Sequence, residues 1–281
     1  LIDNICSGDF GVIDALDEYS TIFCVTVNSV PIVSAPSNQN LCLGSTLNLS
    51  VTSTSVLPVT YQWRKDGLNI NGQTASTLTI SSIGTTNAGS YDVVVSNSCG
   101  STISNPAIVA VNPLPTAIVP INYSICPGAS TTLTSFSSNP AGATYTWTNS
   151  NTAIGLAANG TGNVPAFIAS NSTGANISGT ITVTPVLNGC SGTPSSYTIT
   201  VKPSPVVTLP ASFTICSGET VAASNFSSIP IGANYTWTNS NTSIGLSGSE
   251  TGNFPSFTAV NNTISPVSAT ITITPTIDGC T

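Results

Sequence analysis

The sequence predicts an all-β chain, built as tandem β-sandwiches in an elongated array. Three observations carry that expectation. Tyr145–Thr152 reads YTWTNSNT, and the same octet returns at Tyr235–Thr242. Set without a gap, Pro115–Cys190 and Pro205–Cys280 are identical at 38 of 76 positions. A more distant third copy precedes them, since the step from Cys42 to Trp63 equals those from Cys126 to Trp147 and from Cys216 to Trp237. Repetition at a fixed period marks an array of like modules, an architecture suited to reach and mechanical continuity.

Composition agrees. Thr, Val, Ile, Ser and Asn dominate, whereas charged residues make up only 5%. That balance favours pleated strands over helices. Short alternating segments recur between turn signals: Thr46–Val51, Val59–Arg64, Ser76–Ile80, Tyr91–Val95, Thr144–Thr148, Thr180–Thr184 and Tyr197–Val201. Each fits a half-buried strand, and none keeps a helical period over three turns. Sandwiches of about 80–100 residues are the natural packing for such a pattern.

The junctions repeat as well. Val27, Val111 and Val201 are each followed, at the same interval, by a proline: Pro31, Pro115 and Pro205. Proline after a final strand stops the ladder and stiffens the exit. The division expected is an acidic tail with the last strand of a preceding module at 1–31, then modules at 32–113, 114–204 and 205–281. The third module stops before the counterpart of the Tyr197–Val201 strand. Thr21–Val27 is a strand of the missing kind. Two completions are open: further residues of a longer polypeptide, or donation of a strand by a neighbouring molecule, which would generate a filament.

Several function classes are excluded. Net charge is −7 and the basic residues are Arg64, Lys65 and Lys202, so phosphate neutralisation and nucleic acid binding are not expected. No apolar run is long enough to span a membrane as a helix. The chain has no histidine, which removes the usual base of a Ser or Cys nucleophile. Lys65 lies beside Arg64 in a turn, and Lys202 in a junction. Paired carboxylates need two acids at one cleft. Glu219, Glu250 and Asp278 are replaced by Ala129, Gly160 and Asn188 in the preceding copy, so no enzyme chemistry, cofactor or metal is expected. An acidic cluster at Asp9, Asp14, Asp17 and Glu18 lacks an EF-hand pattern and reads as a solvated loop rather than a calcium site.

Eight cysteines occur: Cys6, Cys24, Cys42, Cys99, Cys126, Cys190, Cys216 and Cys280. None forms a CxxC pair, which argues against zinc. One bridge per module is the simple reading: Cys42–Cys99, Cys126–Cys190 and Cys216–Cys280, the last two with identical spacing. Cys6 and Cys24 then pair by elimination. A bridge joining two modules would contradict the division. Bridges over such long loops imply an oxidising compartment, hence an extracellular protein.

Residues 32–113 resemble an immunoglobulin-like domain. YQWRKDG at Tyr61–Gly67 is similar to the strand carrying the core tryptophan, Trp63. TLTISSIGTTNAGSYDVVVSN at Thr77–Asn97 is similar to two strands joined through a tyrosine corner at Tyr91. The usual core cysteine two places later is Val93 here, so the bridge is expected to have moved outward. Residues 115–281 resemble the PKD-like repeats of secreted Bacteroidota proteins, through YTWTNSN with Ile-Gly-Leu, Thr-Gly-Asn-x-Pro-x-Phe, and Thr-Ile-Thr-x-Thr-Pro closing on Gly-Cys. In that group such repeats build large cell-surface adhesins, including gliding-motility adhesins exported by the type IX system, and serve as spacers in secreted hydrolases. The fold class is therefore tandem immunoglobulin-like and PKD-like β-sandwiches. The resemblance implies a non-catalytic stalk or spacer segment of a cell-surface adhesin or filament. The alternative is a polysaccharide-binding or spacer region of a secreted hydrolase. Partners implied are further repeats of the same polypeptide or neighbouring copies, with surface polysaccharide as a further candidate.

Trp147 and Trp237, with Tyr145 and Tyr235 beside them, have the residue types of a sugar-stacking platform. Their shared register with Trp63 favours core positions, because alternation puts Tyr and Trp on one face. The Asn-rich segments 149–151 and 239–241 have amides suited to glycans, but Asn and Ser are ordinary turn formers. A Lys–Asn isopeptide link is a minor candidate at Lys202, which has a suitable strand-end position.

Overall fold

A computed structural model describes residues 25–281. Apart from three single-turn 3-10 segments at Thr85–Asn87, Thr152–Ile154 and Thr242–Ile244, regular structure among these residues is β. The chain divides into two compact units, 1–112 and 113–281. Val25–Val27 is not strand, which corrects that part of the expected Thr21–Val27 strand; its remainder, the acidic cluster and the Cys6–Cys24 pairing lie outside the described residues.

In the first unit one sheet runs, in spatial order, Gln39–Cys42, Ala107–Asn112, Gly89–Asn97, Thr60–Lys65 and Leu68–Asn69, with Gly100–Ile103 also on the Gly89–Asn97 edge. Gln39–Cys42 runs parallel to Ala107–Asn112; the other pairs are antiparallel. Leu47–Ser50 pairs with Thr77–Ile80 in a second sheet. Alternation decides which side chains go inward: in Leu47–Ser50 both leucines are buried and Asn48 and Ser50 exposed. Trp63, Leu47, Leu78, Tyr91, Val93 and Val95 are fully buried in one core. Trp63 Nε1 donates to Ala75 O at 2.9 Å, and Tyr91 Oη to Asn87 O at 2.8 Å, so both polar tips are satisfied. Val93 stands directly opposite Trp63. An apolar contact therefore fills the place where immunoglobulin-like domains carry a core cystine.

The second unit contains two core clusters, one drawn from residues 117–201 and the other from 207–273. The first repeats the strand order of the initial unit: Tyr123–Ile125, Ser195–Val201, Ile177–Leu187, Thr144–Asn149, Asn159–Thr161. Again the leading strand is parallel to its neighbour, with Ile125 opposite Val201. Trp147, Ile154, Ile181, Val183, Tyr197 and Ile199 fill the core.

The second cluster has a smaller sheet, Ser249–Thr251, Asn234–Asn239 and Ile271–Thr276. Trp237, Phe226 and Leu246 are buried there, while Ile271 and Ile273 are half-buried. The junction between the two clusters is not an exposed tether, since Val201, Pro203 and Pro205 are buried.

The expected bridges are not those formed. Cys126 is joined to Cys280, with Cα atoms 5.4 Å apart. Cys99 and Cys216 are free and exposed, and Cys42 and Cys190 are each disulfide-bonded. None of the three intramodular pairings forms, and strand geometry rules out two of them. Cys126 follows Ile125, which lies beside Val201 and hence beside Ile177; Cys190 lies beside Leu187. The strand Ile177–Leu187 separates those ends by roughly 33 Å, whereas a disulfide needs Cα atoms within about 7 Å. Cys42 likewise lies opposite Asn112, past the Gly89 end of its sheet, while Cys99 sits in the turn beyond Asn97. The pair Cys216–Cys280 fails because Cys280 is already bound to Cys126. The observed bridge crosses residue 204, so 114–204 and 205–281 are not covalently independent modules.

Candidate functional site

Fixed chemistry in the second unit converges on the junction between its two cores. Asp278 and Gly279 form a two-residue hairpin turn, both with left-handed backbone (φ 50° and 84°). Ile277 N–H donates to Cys280 O at 2.9 Å and Cys280 N–H to Ile277 O at 2.8 Å. Asp-Gly is the sequence that such a turn asks for. The turn is held by the preceding repeat from two sides. Cys126 bonds Cys280, and its Sγ lies 3.6 Å from Gly279 O. Lys202 Nζ donates to Asp278 O at 2.7 Å, and Lys202 N–H to Ile125 O at 3.0 Å. The lysine at the strand end is thus engaged with a main-chain carbonyl rather than with an asparagine amide.

The cysteine loop is itself pinned by main-chain hydrogen bonds. Gly128 N–H donates to Ala169 O (2.8 Å), Ala129 N–H to Cys126 O (3.3 Å), and Ala169 N–H to Ala129 O (2.9 Å). At the far end of the same repeat, Gly192 packs against the entering chain so closely that a Cβ there would lie 1.7 Å from Pro115 O. Only glycine fits that approach.

The tryptophans of the aromatic pairs are interior and the tyrosines beside them half-buried. Trp147 is 3% exposed and Trp237 1%. Tyr145 meets Phe136 edge-on at 5.6 Å, and Tyr235 meets Phe226 at 5.4 Å. Trp147 packs against Gly160, where an added Cβ would fall 2.3 Å from the indole. Neither indole N–H has a partner within the protein, unlike that of Trp63. Tyr197 Oη is buried without a hydrogen bond of ordinary geometry, although the Thr134 side chain stands near it. Burial first, then the neighbouring Tyr123, pushes its pKa up to about 12.

The asparagine segments are committed to turns. Asn149 is buried and donates to Asn151 O and Leu156 O, both at 3.0 Å, while accepting from Asn151 N–H at 3.1 Å. Asn151 then caps the following turn through Ala153 N–H. In the second copy Asn239 donates to Leu246 O and accepts from Asn241 N–H, and Asn241 caps its turn through Ser243 N–H. Of the acids, Glu219 accepts from Cys216 N–H at 3.0 Å, Glu250 faces solvent on the Ser249–Thr251 strand, and Asp278 occupies the hairpin turn. No group of three or more His, Cys, Asp or Glu side chains suited to a metal occurs among the described residues.

The junction itself was not foreseen in the sequence. Its signal is a turn dipeptide followed at once by cysteine, Asn188-Gly189-Cys190 and Asp278-Gly279-Cys280, which places the thiol at a sheet end rather than over a core.

Residues 31–97 match the family model described as an immunoglobulin domain, and residues 123–205 match that of a PKD-like domain. Among solved structures, the fold is similar to the I-band fragment I67-I69 from titin. That match has a TM-score of 0.51 at 16% identity and covers 84% of this chain and 90% of that one. An E-to-A mutated variant of the same titin segment gives 0.52 at 14% identity, covering 89% and 98%. No curated protein matches the chain. The chain thus carries immunoglobulin-like and PKD-like domains in tandem.

Proposed function

We propose that this chain is a non-catalytic, disulfide-stapled spacer within an extracellular cell-surface adhesin or filament. The observation that carries the reading is the Cys126–Cys280 bridge. It fixes one repeat to the next at the place where Lys202 also grips the Asp278 turn. Side chains with binding potential are spent on the fold: both PKD-like tryptophans are core residues and the asparagine amides close turns. Immunoglobulin-like and PKD-like domains are typically non-catalytic, and cystine-bearing domains of this kind suit an oxidising exterior. The resemblance of residues 115–281 to repeats of Bacteroidota adhesins supports the surface location and a type IX export route, with gliding motility as one setting.

A spacer is defined by its length and not by its surface. Exchanging residues 114–281 in the parent protein for an unrelated β-sandwich pair of equal length should leave surface display and attachment intact, and a shorter insert should reduce attachment. Loss of attachment with the equal-length insert would overturn the reading. Binding of the isolated chain on a glycan array would favour the polysaccharide-binding role instead.

A further inference from the structure

Each repeat carries one cysteine at the end of its leading segment, which is a parallel strand in the first two repeats, and one in or just after the hairpin turn at the opposite sheet end. The first set is Cys42, Cys126 and Cys216; the second is Cys99, Cys190 and Cys280. Cys42 and Cys126 are bonded while Cys216 is free; Cys190 and Cys280 are bonded while Cys99 is free. The two free thiols are therefore one of each kind.

Cys216 is presented in the same way as its bonded counterpart. Gly218 N–H donates to Ala259 O (2.8 Å), Glu219 N–H to Cys216 O (3.2 Å), and Ala259 N–H to Glu219 O (2.9 Å). Bond for bond, this is the loop that presents Cys126 to Cys280. Gly218 keeps the left-handed backbone of Gly128, φ 91° against 77°. Two differences remain: Cys126 follows the parallel strand Tyr123–Ile125 while the segment before Cys216 is not strand, and Cys216 is exposed, with Glu219 Oε2 accepting its backbone N–H. Cys99 is likewise held in its turn, its N–H donating to Asn97 Oδ1 at 2.9 Å.

From this we infer that Cys216 is one half of a further intermodular bridge, and that its partner is a hairpin-turn cysteine of the Cys99 and Cys280 kind on another module. The inference stands on junction geometry and is independent of the spacer role. The turn cysteine comes either from a later module of a longer polypeptide or from Cys99 of a second copy of this chain. Formation needs a small-molecule disulfide as oxidant. The Cys216 thiolate attacks one sulfur of that disulfide, giving a mixed disulfide and releasing one thiol. The turn thiolate then attacks Cys216 Sγ and expels the second thiol. Two protein thiols are oxidised, one disulfide is reduced to two thiols, and their protons pass to the leaving groups.

Two arms test this. The 281-residue chain is equilibrated with reduced and oxidised glutathione, and its crosslinks are mapped by non-reducing peptide mass spectrometry. In parallel, the disulfides of the full-length parent protein are mapped after secretion. Expected is either Cys216–Cys99 between copies, in excess of Cys216–Cys216 by about tenfold because docking raises effective concentration, or Cys216 joined to a turn cysteine later in the parent chain. For a second copy as the source, a mixture of the Cys216→Ser and Cys99→Ser variants should stop at dimers, since each supplies one complementary thiol. Cys216 found as a free thiol, as a glutathione adduct or as a symmetric Cys216–Cys216 crosslink in both arms would overturn the inference.

Discussion

The two PKD-like copies share half of their aligned residues, yet their cores are packed differently. In the first, Ile181 and Val183 are fully buried beneath a sheet in which Ile177–Leu187 has Thr144–Asn149 on one side and Ser195–Val201 on the other. In the second, their counterparts Ile271 and Ile273 are half-exposed, and Ile271–Thr276 pairs with Asn234–Asn239 alone among the described residues. Tyr123 is half-buried on its parallel strand, whereas its counterpart Phe213 is 61% exposed. Burial is thus set by the neighbouring strand and not by the residue. The second copy partly offsets the difference with aromatic volume: Phe254 replaces Val164 and lies 5.9 Å from both Trp237 and Phe257.

The contrast can be broken most severely at the bridge. Its two cysteines are 154 residues apart, so chain entropy gives an upper figure of about 5 kcal/mol for its contribution. Cys126→Ser should lower the urea midpoint of the 113–281 unit, with the smaller-sheeted second copy unfolding first. Equal midpoints for variant and parent would contradict the junction described here. Removing a core tryptophan comes next. Trp147→Ala should cost about 3–5 kcal/mol, and Trp237→Ala the lower part of that range, because partly exposed surroundings collapse more readily around a cavity. Circular dichroism melts would read both, and a larger loss for Trp237→Ala would reverse the ranking.

A reciprocal exchange sharpens the comparison further. Phe254→Val should leave a void, and Val164→Phe should overpack a full core, each costing about 1–3 kcal/mol. If Val164→Phe proved stabilising, the first copy would not be the better packed. The smallest effect at neutral pH belongs to Tyr197. Its folded pKa of about 12 exceeds the ordinary value near 10. The folded state therefore holds its proton more tightly, and that contribution is fully present below pH 10 and lost as pH rises through about 12. Tyr197→Phe should flatten the decline in stability between those values. An unchanged decline would assign it to other groups.

Much of this fold was legible in the sequence. Alternation located the strands closely, as with Thr46–Val51 against the observed Leu47–Ser50. Both periodicity and shared register placed Trp63, Trp147 and Trp237 where side chains are buried. The tyrosine corner was readable because its hydrogen bond is local, from Tyr91 to Asn87. The disulfide pattern was not readable. Equal cysteine spacing in both copies is a property of the repeat, and pairing between successive copies preserves it as well as pairing within one. What decides the matter is the parallel alignment of Tyr123–Ile125 with Ser195–Val201, a long-range contact that no local pattern encodes. Lys202 was visible as a strand-end cation, but its partner is a backbone carbonyl, which carries no side-chain signature.

The bridge also redirects any pull on the chain. Tension entering along the backbone before Cys126 crosses the sulfur pair and leaves at Cys280, only 5.4 Å away between Cα atoms. The polypeptide between them, about 500 Å of contour if drawn out, bears none of that load while the bond is intact. Unfolding of either repeat within this loop then adds no length. Extension becomes available only on reduction, so the redox state of the surroundings, rather than the strength of the sheets, sets how far this part of the molecule can stretch.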